Sequence, residues 1–126
     1  MPDTTMPIKK ILIVDDSPTE RYFLSELLTR HGYTVSAAES AEEAALKIKA
    51  APPDLILMDV VMPGQNGFQF TRTLSRDPET QAIPVIICTS KNQQTDRIWG
   101  MRQGARDYLV KPIKAEELLE KIAALG

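Results

Sequence analysis

The sequence predicts an α/β fold of the (βα)5 type, in which five short strands alternate with five helices. Two observations predict it. Short, nearly continuous apolar runs recur along the chain, as is typical of parallel strands covered on both faces. Stretches with helical periodicity and helix start or stop signals separate them. Such alternation forms a parallel sheet with right-handed crossovers and helices on both faces, so we expect a three-layer sandwich around a five-stranded parallel sheet.

The predicted strands are apolar runs bounded by charged or turn residues. The second of them alternates, which indicates a strand that is only half covered. The other four are almost uninterrupted, which is typical of parallel strands covered on both faces. The runs are Ile11–Val14, Tyr33–Ala38, Asp54–Asp59, Pro84–Thr89 and Asp107–Val110.

The first helix has the clearest boundaries. Ser17 and Glu20 have the spacing of a capping box, and Pro18 occupies the first helical position. A stop signal follows at His31-Gly32. The apolar face is expected to consist of Phe23, Leu24, Leu27 and Leu28.

The other helices have weaker signals. A second capping box, at Ser40 and Glu43, opens the second helix, and a proline pair ends it. The third is expected to follow Asn66-Gly67, and the start of the fifth is poorly defined because Lys114 is a poor cap. The apolar positions of the second helix are Ala41, Ala44, Ala45 and Ile48, and the fourth and fifth helices are predicted over residues 92–103 and 114–124.

Composition favours one globular domain. The length of 126 residues suits a single domain, and a net charge of -2 gives no general attraction to nucleic acid or anionic lipid. The single cysteine rules out an internal disulfide framework and fits a reducing compartment, so we expect a cytoplasmic protein. We read residues 1–7 as a flexible leader and residues 8–126 as the domain, with no separate output domain. We expect a monomer that binds neither nucleic acid nor membrane.

Polar residues at the carboxyl ends of the strands form the candidate site, because ligands bind at that edge of a parallel sheet. Asp15 and Asp16 end the first strand, Asp59 the third, Thr89 the fourth, and Lys111 follows the fifth. Carboxylates about 4 Å apart repel each other by roughly 1 to 4 kcal/mol, and Mg²⁺ removes that repulsion. The set predicts a phosphoryl-binding site with a carboxylate as candidate acceptor.

Four segments resemble one family in order and spacing. They are "VDD", "LMDVVMPGQNG", "PVIICTS" and "GARDYLVKP", and they resemble the CheY-like receiver domain of bacterial two-component response regulators. The resemblance covers almost all of the chain after residue 7 and implies a flavodoxin-like sheet with strand order 2-1-3-4-5. "DDSPTE" and "TDRIWGMRQGARDYLVKP" are also similar to stand-alone receivers that control type IV pilus twitching. Asn66 departs from the Asp of many receivers, at a position outside the acidic pocket.

The resemblance implies a role for each acidic residue. Asp59 is the residue expected to accept a phosphoryl group from a CheA-like histidine kinase. Asp16 and Asp59 are expected to bind Mg²⁺ directly, together with the backbone carbonyl of Val61. Asp15 is expected to act on the metal through water.

The resemblance also implies a switch. Thr89 is expected to hydrogen-bond the phosphoryl group while Lys111 pairs with it. Tyr108 matches an aromatic residue that turns inward as Thr89 moves, which changes a partner-binding surface on the fourth helix, fifth strand and fifth helix. The Lys111-Pro112 bond is expected to be cis.

Simpler interpretations compete for single residues. Asp15 and Asp16 could be solvated helix caps, and Tyr108 could be a half-buried strand aromatic. Cys88 is expected in the core, since free cysteine is among the most buried residue types. Trp99 lies either between helices or on the signalling surface, and packing is slightly favoured.

Three other functions deserve comparison with a signalling switch. A Mg²⁺-dependent phosphohydrolase with an aspartyl nucleophile would usually have an Asp-x-Asp strand end, whereas Asp59 is followed by Val60 and Val61. A phosphate sink without output needs the same acidic pocket. A nucleotide binder would need a glycine- or hydroxyl-rich loop after the first strand, where this chain has "DDSPTE".

Overall fold

The computed structural model describes residues 8–125 and contains the predicted fold. One five-stranded parallel sheet has the order β2-β1-β3-β4-β5. The predicted leader, residues 1–7, lies outside the described residues. Among residues 8–125, no helix combines the length and apolar character required to cross a membrane. The elements are β1 (Lys10–Val14), α1 (Pro18–Arg30), β2 (Thr34–Ala38), α2 (Ala41–Ala50), β3 (Leu55–Met58), α3 (Gly67–Arg76), β4 (Val85–Thr89), α4 (Gln94–Arg102), β5 (Asp107–Val110) and α5 (Ala115–Leu125).

The register of the sheet continues one residue past several strands. The Asp15 N–H donates to Ala38 O at 3.0 Å, and the Asp59 N–H donates to Val14 O at 2.9 Å. On the other side of the sheet, the Lys111 N–H donates to Thr89 O at 2.8 Å. These hydrogen bonds fix the backbone of the residue that follows each of β1, β3 and β5, so the side chains of these residues project from fixed positions at one edge of the sheet.

Two apolar clusters cover the two faces of the sheet. On one face, the layer of α1 and α5 buries aliphatic side chains, with Leu24 and Leu28 from α1 and Leu118 and Ile122 from α5. Cys88 of β4 is buried in this cluster, as predicted, and burial raises the pKa of its thiol. On the other face, the layer of α2, α3 and α4 covers a cluster richer in aromatic residues and methionine, which includes Met58, Phe68, Phe70 and Tyr108.

Some predicted helix faces are wrong. Leu24 and Leu28 are buried, but Phe23 is 40% exposed, because the contact with the sheet is narrower than the apolar stripe. Ala45 is likewise exposed, although Ala41, Ala44 and Ile48 are buried.

Helix α4 differs most from the prediction. It begins at Gln94, and Gly100 is its buried residue. A Cβ atom on Gly100 would lie 2.8 Å from Cδ1 of Ile87, 3.1 Å from the Tyr108 ring and 3.2 Å from the Phe68 ring. Because Gly100 faces the sheet, its neighbour Trp99 points away and is 48% exposed. Of the two positions considered for Trp99, the structure therefore has the exposed one, which the sequence favoured slightly less.

The two predicted capping boxes form only in part. Ser17 Oγ accepts from the Glu20 N–H at 3.3 Å, but the Ser17 N–H donates to Asp15 Oδ1 at 2.9 Å and not to Glu20. In α2 the Glu43 carboxylate accepts from the N–H of Glu39, the residue before the cap, and not from the N–H of the cap residue Ser40. A reciprocal box forms instead at the start of α3, between Asn66 and Gln69.

Candidate functional site

Three carboxylates meet at the carboxyl end of the sheet because β1 and β3 are neighbours. Asp15 and Asp59 are almost completely buried, whereas Asp16 is exposed. One oxygen from each residue can be chosen so that all three lie within 4.8 Å of one another. Like charges at this separation repel each other, so the arrangement requires compensating positive charge.

The Asp59 carboxylate has two distinct oxygens. Oδ1 accepts from the backbone N–H groups of Val60, at 2.8 Å, and Val61, at 3.4 Å. Oδ2 faces Lys111, and the distance from Oδ2 to Lys111 Nζ is 3.7 Å. Gly67 packs against the backbone of Asp59 so closely that a Cβ there would lie 2.0 Å from the Asp59 carbonyl oxygen. The carboxylate is thus fixed in place with one oxygen directed at the lysine.

Opposing effects determine the pKa of Asp59. Burial raises it most, and the charge of Asp15 raises it further. Lys111, the Val61 N–H and the Thr89 hydroxyl lower it, but the net direction is upward. Burial disfavours the charged form, so removing the negative charge of Asp59 relieves the site. A cation bound beside Asp59 would compensate this charge.

Lys111 contacts three carboxylates. Its Nζ lies 2.7 Å from Asp15 Oδ2, 3.7 Å from Asp59 Oδ2 and 3.9 Å from Glu20 Oε2. Burial lowers the pKa of Lys111, but the hydrogen bond from its ammonium to Asp15 and the surrounding negative charges outweigh burial and raise it. The side chain therefore remains a cation at the centre of the acidic group.

Thr89 and Tyr108 lie beneath this edge in the core. Thr89 is fully buried, and Tyr108 is 1% exposed. The Tyr108 hydroxyl donates to Lys91 O at 2.8 Å, and burial raises the pKa of Tyr108 to about 12. Arg97 of α4 donates to Tyr108 O at 3.1 Å and lies 5.3 Å from the ring centre. The ring is inward and fully buried, not half buried, and its switching role stays a prediction.

The donor set fits magnesium. The acidic pocket supplies hard carboxylate oxygens, and Mg²⁺ uses one or two carboxylates while it keeps several waters. Asp16 and Asp59 are the residues that would hold the ion, since Asp15 already accepts from Lys111 and from the Ser17 N–H. Val61 lies two residues after Asp59 and is 52% exposed; the role of its carbonyl in binding the metal stays a prediction.

Two residues of the site were missed by sequence reasoning. Arg21 donates to Asp15 O at 2.8 Å and ties α1 to the end of β1. Glu20 was interpreted only as half of a capping box, yet its carboxylate lies beside Lys111. Both follow Asp16 within one and a half helical turns, so a search of the first turns of α1 would have found them.

The predicted cis peptide between Lys111 and Pro112 is present. Asn66, the one departure from the receiver pattern noted above, caps α3 through Gln69 N–H at 2.9 Å. Its side chain therefore has a structural role that either Asn or Asp fulfils.

Known proteins resemble this chain over nearly its whole length. Protein PilH of Pseudomonas aeruginosa is 56% identical over 116 residues, which cover 92% of this chain and 96% of PilH. The phosphate regulon transcriptional regulatory protein PhoB of Escherichia coli is 35% identical over 117 residues, and this chain spans about half of its length. A crystal structure of the chemotaxis protein CheY4 of Vibrio cholerae superimposes with a TM-score of 0.88 at 32% identity, covering 94% of this chain and 99% of CheY4.

Residues 11–123 match the response regulator receiver domain. The match includes all four sequence segments that suggested the family and every residue of the acidic pocket. With the five-stranded parallel sheet and the carboxylates at its carboxyl edge, it confirms the resemblance seen in the sequence. The chain is a member of the response regulator receiver family, whose members act as signalling switches.

Proposed function

We propose that this protein is a phosphorylation-driven switch in which Asp59 accepts a phosphoryl group from a histidine kinase. The observation that carries the proposal is the position of the Asp59 carboxylate. It is buried, fixed by backbone N–H groups at Oδ1 and directed at Lys111 through Oδ2. Phosphoryl transfer depends mainly on such alignment and on neutralisation of charge.

The transfer exchanges one phosphorus bond for another. Oδ2 of Asp59 attacks the phosphorus of a phosphohistidine, a P–O bond forms, and the P–N bond breaks. The electron pair of that bond returns to the imidazole nitrogen, which takes up a proton. Lys111, whose ammonium already lies 3.7 Å from Oδ2, pairs with the incoming oxygens, and the buried Thr89 hydroxyl donates to one of them. Asp16 and Asp59 would hold a magnesium ion, which would supply the remaining positive charge.

The switch is proposed to act through Thr89, Tyr108 and α4. Thr89 is buried at the end of β4 and is paired with Val110 of β5, two residues after Tyr108, which is paired with Ile87. Arg97 links Tyr108 to α4. Movement of Thr89 toward a phosphoryl group would alter the packing of Tyr108 and so the surface of α4, β5 and α5.

The biological setting is proposed from similarity. PilH is similar across 92% of this chain, and the sequence resembles receivers of type IV pilus twitching. We therefore propose control of twitching or a related chemotaxis-like pathway, with a CheA-like kinase as the phosphodonor. The proposal includes a cytoplasmic monomer whose receiver unit is residues 8–126.

Incubation with Mg²⁺ and acetyl phosphate, followed by intact-mass measurement, tests the acceptor. Wild-type protein should gain one phosphoryl group, and Asp59→Asn should gain none while keeping its circular dichroism spectrum. Asp54→Asn is a matched control, because Asp54 lies at the opposite end of β3 and accepts from the N–H groups of Lys9 and Lys10. A comparable adduct on Asp59→Asn would refute the assignment.

The persistence of the adduct and the amide chemical shifts of α4 separate the switch from the two alternatives. A phosphohydrolase would release phosphate over many turnovers without a persistent adduct. A phosphate sink would form the adduct but show no change on α4. Amide chemical shifts with beryllofluoride, a phosphoryl mimic, should move on α4 and β5 in wild type, and much less when Thr89→Ala and Lys111→Ala are combined. Shifts of full size in that double variant would show that the signal travels by another route.

A further inference from the structure

Glu20 places a buried oxygen in the acidic pocket without a hydrogen-bond donor. Its Oε2 is inaccessible to solvent and has no hydrogen-bond partner among residues 8–125. The ion pair that Glu20 makes within the described part of the chain is with Lys111, whose Nζ lies 3.9 Å from Oε2. A buried acceptor without a donor costs about 1–3 kcal/mol, so helix formation alone does not explain this position.

The helix cap does not explain the carboxylate either. In a reciprocal capping box the acidic side chain accepts from the backbone N–H of the cap residue. Here Asp15 Oδ1 takes the Ser17 N–H at 2.9 Å. The matching position in α3 shows the usual arrangement, since Gln69 accepts from the Asn66 N–H. Glu20 is therefore free to turn toward Lys111.

Lys111 would have fewer N–H donors than anionic partners once Asp59 carried a phosphoryl group. An ammonium group has three N–H donors, and Asp15, Asp59 and Glu20 already surround it. A phosphoryl group on Asp59 would bring further anionic oxygens to the same ammonium. An N–H group of Lys111 that faces Glu20 would then not be available to the phosphoryl group.

We propose that Glu20 is a positioning residue that holds Lys111 beside Asp15 and competes with a phosphoryl group on Asp59 for its ammonium. The proposal rests on the proposed function. The charge of Glu20 also repels phosphoryl oxygens and attracts a divalent cation. Glu20 therefore favours the magnesium-bound form without a phosphoryl group and weakens the phosphorylated form.

The charge-neutral variant Glu20→Gln tests both effects. Calorimetric titration with beryllofluoride at saturating Mg²⁺ should show binding that is roughly three- to fivefold tighter than in wild type, the scale of a partly exposed ion pair. Titration with Mg²⁺ alone should show binding that is weaker by about two- to fivefold. A purely structural role would shift both affinities in one direction or neither.

Glu26→Gln is the matched control. Glu26 lies on the same helix, is half exposed and pairs with Arg30 at 3.8 Å, outside the pocket. The substitution removes the same charge from α1, so both affinities should remain within twofold of wild type. Equal effects of Glu20→Gln and Glu26→Gln would assign the change to net charge and overturn the proposal.

Glu20→Asp separates contact from charge. It keeps the negative charge but is one methylene shorter, so Mg²⁺ affinity should stay near wild type while beryllofluoride binding tightens. An Asp variant equal to wild type for both ligands would overturn competition for Lys111. If wild type itself binds no beryllofluoride, the proposed function fails; if wild type binds it and Glu20→Gln binds equally well, only this inference fails.

Discussion

Helices α4 and α5 flank the same strand, but the sheet holds them in different ways. Helix α5 buries Leu118 and Ile122 in an aliphatic cluster. Helix α4 buries Gly100 and leaves Ile98, Trp99 and Met101 between 43% and 48% exposed. Elements with few buried apolar groups open at low free energy. We infer that α5 is part of the rigid support of the acidic pocket, whereas α4 is the helix whose position a local event at Tyr108 can change.

The strongest way to break this comparison is to truncate one apolar residue on each helix. Leu118→Ala should lower the free energy of unfolding by about 2–5 kcal/mol, because Leu118 is completely buried. Trp99→Ala should lower it by less than about 1 kcal/mol, because nearly half of Trp99 is exposed. Urea denaturation measures both, and similar losses would show that α4 is as firmly packed as α5.

Adding a methyl group to α4 should have the next largest effect. Alanine usually stabilises a helix by about 1 kcal/mol relative to glycine. Gly100→Ala should instead destabilise the protein by roughly 1–3 kcal/mol, because the new Cβ would crowd Ile87, Phe68 and the Tyr108 ring. Urea denaturation and the aromatic NMR signals of Tyr108 measure the effect. A gain in stability would mean that α4 moves away from the sheet at little cost.

Removing the charge of Asp59 should stabilise the rigid part of the protein that includes α5, but not α4. The pKa of Asp59 is raised in the folded state, mainly by burial, so its negative form destabilises the fold at neutral pH. Asp59→Asn should therefore raise the free energy of unfolding by roughly 1 kcal/mol at pH 7. The gain should vanish as pH falls below 3.8, where the carboxyl group is protonated in both states.

Hydrogen exchange shows where that gain appears. Amides of α1 and α5 that exchange by global unfolding should slow in Asp59→Asn, while those of α4 should stay unchanged because they exchange by local opening. Equal slowing in α4 and α5 would contradict the comparison.

The smallest expected effect concerns the link between α4 and Tyr108. Arg97→Ala removes the hydrogen bond to Tyr108 O and the contact with its ring, together about 1 kcal/mol for an exposed side chain. Amides of α4 should then exchange several times faster, with α5 unaffected. Arg102→Ala on the same helix is the control, and an equal effect there would exclude a special role for Arg97.

Sequence reasoning located the acidic pocket because its residues end strands. The carboxyl ends of parallel strands share one edge, so Asp15, Asp59, Thr89 and Lys111 converge once the strands are recognised. Hydrogen bonds that extend the ladder past β1, β3 and β5 explain why this inference was accurate. The strand order itself came from the family resemblance, since apolar periodicity does not specify which strands are neighbours.

The predictions from sequence were wrong where one local pattern was compatible with two different structures. The Ser17–Glu20 spacing predicts a capping box, but Asp15 competes for the same N–H and leaves Glu20 to face the pocket. In α4 a glycine makes the main contact with the sheet, so the apolar side chains beside it do not mark the buried face. Tertiary contacts determine the orientation of Glu20 and the buried face of α4, and a helical pattern in the sequence does not show such contacts.

The single cysteine gives the molecule an internal reporter. Cys88 lies in β4, covered by the layer of α1 and α5, and burial keeps its thiol protonated. Only the thiolate reacts with alkylating reagents, so native protein should be labelled no faster than β4 becomes exposed. Loosening of α4 alone leaves that layer closed. The alkylation rate of Cys88 would therefore measure how often the layer of α1 and α5 opens, independently of any motion of α4.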